Sequence, residues 1–245
     1  MRGMNLLALE TSTERLSIAI LRGEEPFARD IDAGQRHSDL ALPLLHELLA
    51  EASLTLREFD AIAFGQGPGS FTGVRIACGL SQGLALGIGK LLVPVPTQMA
   101  LAEQTISAQV LVAIDARMGE VYFAAYRRDA AHAHGWKAVV APMLVKPDAL
   151  PALEGNGWCA TGSAFDVAAL SELLAKRYAD QIERVIHGAL PRAMDVAFIA
   201  ARQLQLAGIG SAIKPEFAAP LYLRNKVAMT IEERRAHHAA KASTV

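Results

Sequence analysis

Short apolar runs alternate with polar breaks along this chain, and longer stripes at helical spacing lie between them. Asn5–Leu9 is an apolar run with strand character that ends at Glu10–Thr13 (ETST). Arg15–Leu21 alternates and breaks at Arg22–Glu24 (RGE), so the two runs read as a hairpin, with a third strand near Pro26–Ile31. His37–Ala52 carries the helical spacing Leu40, Leu44, Leu45, Leu48, Leu49 and Ala52. Ser38 or Asp39 is placed to cap it, and Pro43 requires a late start or a bend. Ala41 and Leu42 widen the apolar stripe beyond what one buried face needs. Ala61–Phe64 then reads as a buried strand, Gly65–Ser70 as a loop, and a helix begins near Thr72 and runs to Leu86. Leu91–Val95 is a further strand, and Thr97 is placed to cap a helix running to about Thr105. Strand and helix in alternation predict an α/β architecture.

Near residue 110 the plan starts again. Val110–Ile114 is an apolar strand ending at Asp115, Ala116–Glu120 is a polar turn, and Val121–Tyr126 alternates. Leu6–Glu10, its turn and Leu16–Ile20 follow the same order about 105 residues earlier, which points to an internal duplication. The expected organisation is a first lobe over residues 1–105, a second over 106–220 and a basic segment over 221–245, disordered after about residue 228. Within the second lobe the pattern predicts strands at Lys137–Val145, Trp158–Thr161 and Arg184–Ile186. It predicts helices at Pro147–Leu153, Ala164–Tyr178 and Met194–Ala207, the last stopped by Gly208.

Composition narrows the class. The chain has 245 residues, 52% of them apolar, and a net charge of −1, so no overall field draws it to nucleic acid or membrane. Cys78 and Cys159 lie far apart, form no metal or redox motif and are expected in the core. The N-terminus reaches polar residues too soon for a signal peptide, and no run of apolar residues is long enough to span a membrane. The expected address is therefore cytoplasmic, without membrane contact.

Gly65–Ser70 lacks the lysine of a phosphate-binding P-loop and the third glycine of a dinucleotide fingerprint. Two readings remain: a tight turn that seats a helix on a sheet, or an anion site at Ser70–Gly73. Glu10 and Asp115 each end the first strand of a hairpin, either as turn caps or as carboxylates facing one cleft. In the second case Glu10, Thr11, Ser12, Gly67, Gly69, Ser70 and Asp115 would form a vestigial nucleotide site. The histidines make no ligand set, no metal site is expected, and no catalytic constellation stands out.

The helix after the loop is the stronger signal. Gly79, Gly83 and Gly87 recur every four residues, and each costs roughly 1 kcal/mol against alanine in a helix interior. Small residues on one side, with Val74, Ile76, Leu80, Leu84 and Leu86 around much of the rest, suit a helix buried on most sides. The second neighbour is either internal or another protein. The protein reading takes His37, Leu40, Leu44 and Leu48 of the first helix with Gly73, Ile76, Gly79, Leu80, Gly83 and Leu84 of the second as a partner interface.

GQGPGSFTGVRIACGLSQGLA (Gly65–Ala85), IDARMGEVYFAAY (Ile114–Tyr126) and PLYLRNKVA (Pro220–Ala228) together resemble the bacterial TsaB proteins. The resemblance runs from residue 5 to about 228. It implies an actin-like, sugar-kinase-like fold of two duplicated lobes. It also implies a part in making threonylcarbamoyladenosine beside the anticodon of tRNA, as the non-catalytic partner of a catalytic paralogue, TsaD, with an ATPase, TsaE. By this resemblance the chain alone binds no cofactor and the assembly uses ATP. tRNA is met through the complex. With no partner present, the apolar patch itself is expected to pair in a homodimer. The paralogue carries a metal-binding histidine pair where this chain has Thr97 and Leu101, and Glu10 stands where the family usually has aspartate. Two rivals remain at this stage: a stand-alone ATP-dependent phosphotransferase of the same superfold, and a peptidase.

Overall fold

The computed structural model describes residues 3–224. Two five-stranded sheets carry the same strand order. In the first, β1 (Asn5–Glu10) lies between β2 (Arg15–Arg22) and β4 (Ala61–Gly65), with β3 (Glu25–Asp32) and β5 (Leu91–Val95) at the edges. In the second, β6 (Gln109–Asp115) lies between β7 (Val121–Arg128) and β9 (Trp158–Thr161), with β8 (Trp136–Val145) and β10 (Ile182–Ile186) outside. Each central strand pairs antiparallel with the strand after it and parallel with the fourth of its set. The duplication read from the sequence is thus present strand by strand, in a two-lobed α/β fold of the actin-like kind.

β1 is buried along its whole length because both of its faces are covered, which is why it reads as an unbroken apolar run. Its residues alternate between two cores. Leu7 and Leu9 join Ile18, Ile20, Ile62 and Phe64 beneath α1 (His37–Glu51) and α2 (Phe71–Ile88). Leu6 and Ala8 join Ala19, Ala61 and Ala63 on the inner face, where alanines let a helix come close. That helix is α5 (Ala193–Ala207), from the far end of the chain, which packs on β1, β2, β4 and β5. Conversely α3 (Thr97–Glu103), from the first half, packs on β6 and β7 as well as on α5. The halves therefore exchange their last helices, and α3 and α5 fill the space between the sheets. α4 (Ala168–Arg177) covers the outer face of the second sheet, with Leu170 and Leu174 against Phe123 and Trp158.

Some local expectations are corrected. α1 runs through Pro43 unbroken, held by its buried side His37, Ala41, Leu45 and Leu48. Neither Ser38 nor Asp39 caps it; both lie inside the first turn, and Arg36 holds the cap position without a side-chain bond. Thr97 does not cap α3 either, because Pro96 takes that position. The helix expected at Pro147–Leu153 is only a 3₁₀ turn at Pro147–Ala149. The helix expected over Ala164–Tyr178 splits into a 3₁₀ turn, Ser163–Asp166, and α4. There the Asp166 carboxylate accepts from His187 Nδ1 at 2.9 Å and from the Gly188 N–H, turning the chain before Val167.

After α5 the chain runs back over the first lobe. Ile213 pairs with Leu92 at the sheet edge, and Gln82 Nε2 donates to the Pro215 and Ala218 carbonyls. The Leu221 N–H donates to the Gln66 carbonyl at 2.7 Å. Arg224 then reaches the second lobe, donating to the Ala116 carbonyl at 2.9 Å and pairing with Glu120 at 2.7 Å. The remaining basic residues, Lys226, Arg234, Arg235 and Lys241, and the disorder expected after residue 228 lie outside the described residues.

Candidate functional site

The β1–β2 turn and the glycine loop meet, as the nucleotide reading required, but they leave no room between them. Glu10 is 1% exposed. Its carboxylate accepts the Ser12 N–H at 2.6 Å and the Thr97 hydroxyl at 3.1 Å. Burial pushes its pKa up, and those bonds offset part of the shift. A Cβ built on Gly65 falls 1.9 Å from Glu10 Oε2, one on Gly69 falls 2.6 Å from the Ser12 carbonyl oxygen, and one on Gly73 falls 1.9 Å from the Thr11 carbonyl oxygen. These glycines are spacers that let the turn lie directly on the start of α2. Thr11 Oγ1 donates to the Gly73 carbonyl at 2.7 Å, and the Ser70 N–H donates to the Ser12 carbonyl at 2.7 Å. The Gly73 N–H, a donor an anion would have used, is taken by Ser70 Oγ as the helix cap. Gly67, at φ +96, packs against Val74.

Asp115 repeats the Glu10 bond in its own lobe. It accepts the Arg117 N–H at 2.7 Å, and its own N–H donates to Ser163 Oγ. Both carboxylates therefore serve as turn caps, and no bond joins Asp115 to the Glu10 cluster. The space between the lobes, lined by Ser12, Gly69, Thr97, Leu101, Ile114 and Ser163, amounts to about 30 Å³. That is far below the several hundred Å³ that a bound small molecule takes up. Thr97 and Leu101 are buried, and no group of three or more metal-ligating side chains occurs among the described residues.

The other side of α2 is open. The helix buries Val74, Ala77, Cys78, Ser81 and Ala85 toward the sheet. Helical spacing sends Thr72, Arg75, Gly79, Gly83, Leu86 and Gly87 to the opposite side, and all six are exposed. A Cβ at Gly79, Gly83 or Gly87 meets nothing within 4 Å. Three glycines inside the helix thus cost about 1 kcal/mol each, and no close contact among the described residues offsets it. Ile76, Leu80 and Leu84 are half-buried. Leu86 stands 63% exposed, and Leu42 of α1 stands 53% exposed. A groove of about 650 Å³ opens at the C-terminal ends of α1 and α2, lined by His46, Leu49, Leu54, Leu56, Arg57 and Ile88.

Three residues assigned to the interface turn inward. His37 is buried, with Nε2 3.1 Å from the Arg15 carbonyl oxygen; Leu48 lies wholly in the outer core; and Gly73 faces the Thr11 carbonyl. Leu40 and Leu44 are half-buried against that core. Leu42, Arg75 and Leu86, outside the expected set, are exposed; Arg75 and Leu86 sit four before and seven after Gly79, the spacing of a shared helix face.

The family profile described as TsaD, tRNA N6-adenosine threonylcarbamoyltransferase, matches residues 31–243. The chain is 35% identical to the tRNA threonylcarbamoyladenosine biosynthesis protein TsaB of Haemophilus influenzae, over 93% of this chain and 96% of that protein. It is 36% identical to the protein of the same name from Escherichia coli, over 92% and 96%. Among solved structures, YeaZ from Pseudomonas aeruginosa superposes with a TM-score of 0.77 at 31% identity, over 90% of this chain and 100% of that one.

Proposed function

The chain belongs to the TsaB family of tRNA threonylcarbamoyladenosine biosynthesis proteins, and we propose that it serves there as a non-catalytic subunit that binds and activates a TsaD-type catalytic paralogue. The observation that carries this reading is the exposed glycine face of α2, since Gly79, Gly83 and Gly87 are costly in a helix and have no close neighbour among the described residues. A partner helix laid along them approaches to backbone distance and buries Ile76, Leu80, Leu84 and Leu86. The closed cleft supports the non-catalytic part, because Glu10 is spent on its own turn and on Thr97. In this reading ATP is consumed by the assembly, with a TsaE-type ATPase, and tRNA is engaged through the complex. Without the paralogue, the same face pairs with itself in an isologous dimer.

The test is Gly83→Leu, at an exposed position where an added Cβ meets nothing within 4 Å among the described residues. Circular dichroism should match wild type and the thermal midpoint should be no lower, while co-purification with the paralogue and reconstituted tRNA modification are lost. Retention of both by a folded Gly83→Leu protein would place the interface elsewhere.

A further inference from the structure

Arg75 projects from the exposed side of α2, one turn before Gly79. Its guanidinium carbon lies 3.3 Å from the centre of the Phe71 ring, four residues earlier on the helix. The Tyr222 ring lies 5.1 Å away. Tyr222 is held between the Leu221 bond to Gln66 and the Arg224 contacts with Ala116 and Glu120. The side chain is thus restrained by two aromatic rings. Stacking occupies the faces of a guanidinium and leaves its in-plane N–H donors free. Those donors have no hydrogen-bond acceptor and no carboxylate partner among the described residues. By contrast Arg117 pairs with Asp115, and Arg224, two residues after Tyr222, pairs with Glu120.

We infer that Arg75 is a pre-organised receptor for a carboxylate carried by the partner helix that packs along Gly79, Gly83 and Gly87. The inference deepens the partner reading above and rests on it. A helix brought to backbone distance at those glycines covers Arg75 as well, and covering a guanidinium with no anion is strongly unfavourable. The planar fork matches an Asp or Glu carboxylate with two parallel bonds. A carboxylate is favoured over a nucleic-acid phosphate because one uncompensated cation on an apolar helix face makes a point contact. Phosphate backbones are tracked by several cations together.

The experiment measures the affinity of the paralogue for wild type, Arg75→Gln, Arg75→Glu and Gly83→Leu at several salt concentrations. Arg75 is exposed and makes no hydrogen bond or ion pair among the described residues, so Arg75→Gln should stay folded, with a midpoint lowered only by the loss of the two ring contacts. It should bind about 10- to 100-fold more weakly, as expected for loss of a charge-assisted pair, with a shallower salt dependence. Arg75→Glu should be worse still, and an Asp or Glu to Arg change on the partner helix should restore it. Unchanged affinity of Arg75→Gln, with binding abolished by Gly83→Leu, overturns the receptor and leaves the face standing. Failure of wild type to bind the paralogue removes both readings. Unchanged protein affinity with weakened tRNA binding by the assembled complex assigns the anion to RNA and overturns the carboxylate.

Discussion

Replacing Gly79, Gly83 and Gly87 together by alanine should stabilise the isolated chain. All three lie inside α2 and none of the added methyls meets an atom within 4 Å. Only the helix-propensity difference then acts, about 0.5–1 kcal/mol per site and about 1.5–3 kcal/mol for the triple variant. In a chain of this size that corresponds to a thermal midpoint higher by about 3–12 °C. The assay is thermal and urea denaturation of wild type and variant, with a wild-type urea slope confirming that the unfolded state is unchanged. The same three methyls stand where a partner backbone would lie, and overpacking at such a contact costs about 1–3 kcal/mol. Stability and partner affinity should therefore move in opposite directions. If the isolated chain self-pairs through this face, wild type shows a concentration-dependent midpoint that the variant loses. A variant that melts no higher than wild type diluted to monomer would refute the reasoning, because the glycines would then be engaged within the chain itself.

Gly73→Ala, in the same helix, should have the opposite sign and destabilise by about 1–3 kcal/mol or more, since its methyl is driven into the Thr11 carbonyl; urea denaturation decides it. Glu10 has its pKa raised by burial, so the unfolded chain ionises first as pH rises. The native state therefore loses stability from the unfolded pKa upward, until the raised native pKa is passed. Glu10→Gln removes that loss, so its advantage over wild type in thermal midpoint should grow as pH rises above about 4.5; an offset flat with pH would count against it. Arg224→Ala should cost about 1 kcal/mol and speed hydrogen exchange in the 116–120 turn, whose carbonyl and carboxylate it holds.

Much of this was legible from local pattern. Glu10 and Asp115 announced the duplication because a strand, a terminal carboxylate and a turn are contiguous in sequence. The glycine stripe was visible as a period of four, but a period does not say which side of a helix faces its own sheet. Gly73 shares the small-residue pattern of Gly79 and Gly83, yet it is spent on Thr11. His37 and Leu48 share the stripe of Leu40 and Leu44, yet they point inward. Those distinctions depend on where the β1–β2 turn comes to rest, which is a tertiary fact. The closed cleft was equally hidden, because its closure comes from the backbone of one loop lying on another. The exchange of α3 and α5 left no local trace, since an apolar helix face looks the same whichever sheet it covers.

That exchange has a consequence for how the protein is made. The inner face of the first sheet, with Leu6, Ala8, Ala19 and Ala63, is covered by α5. On the ribosome this face emerges long before its cover, since α5 follows β1 by more than half of the residues described. The N-terminal half is therefore not a self-sufficient nascent unit. Its β1–β2 hairpin and outer helices can assemble early, but the sheet stays apolar on one side until residue 207 is free. Vectorial synthesis thus holds back the final collapse of both lobes to a single late event. A chain released before α5 would present a bare apolar sheet to chaperones and proteases, so truncated products are marked for removal by the fold itself.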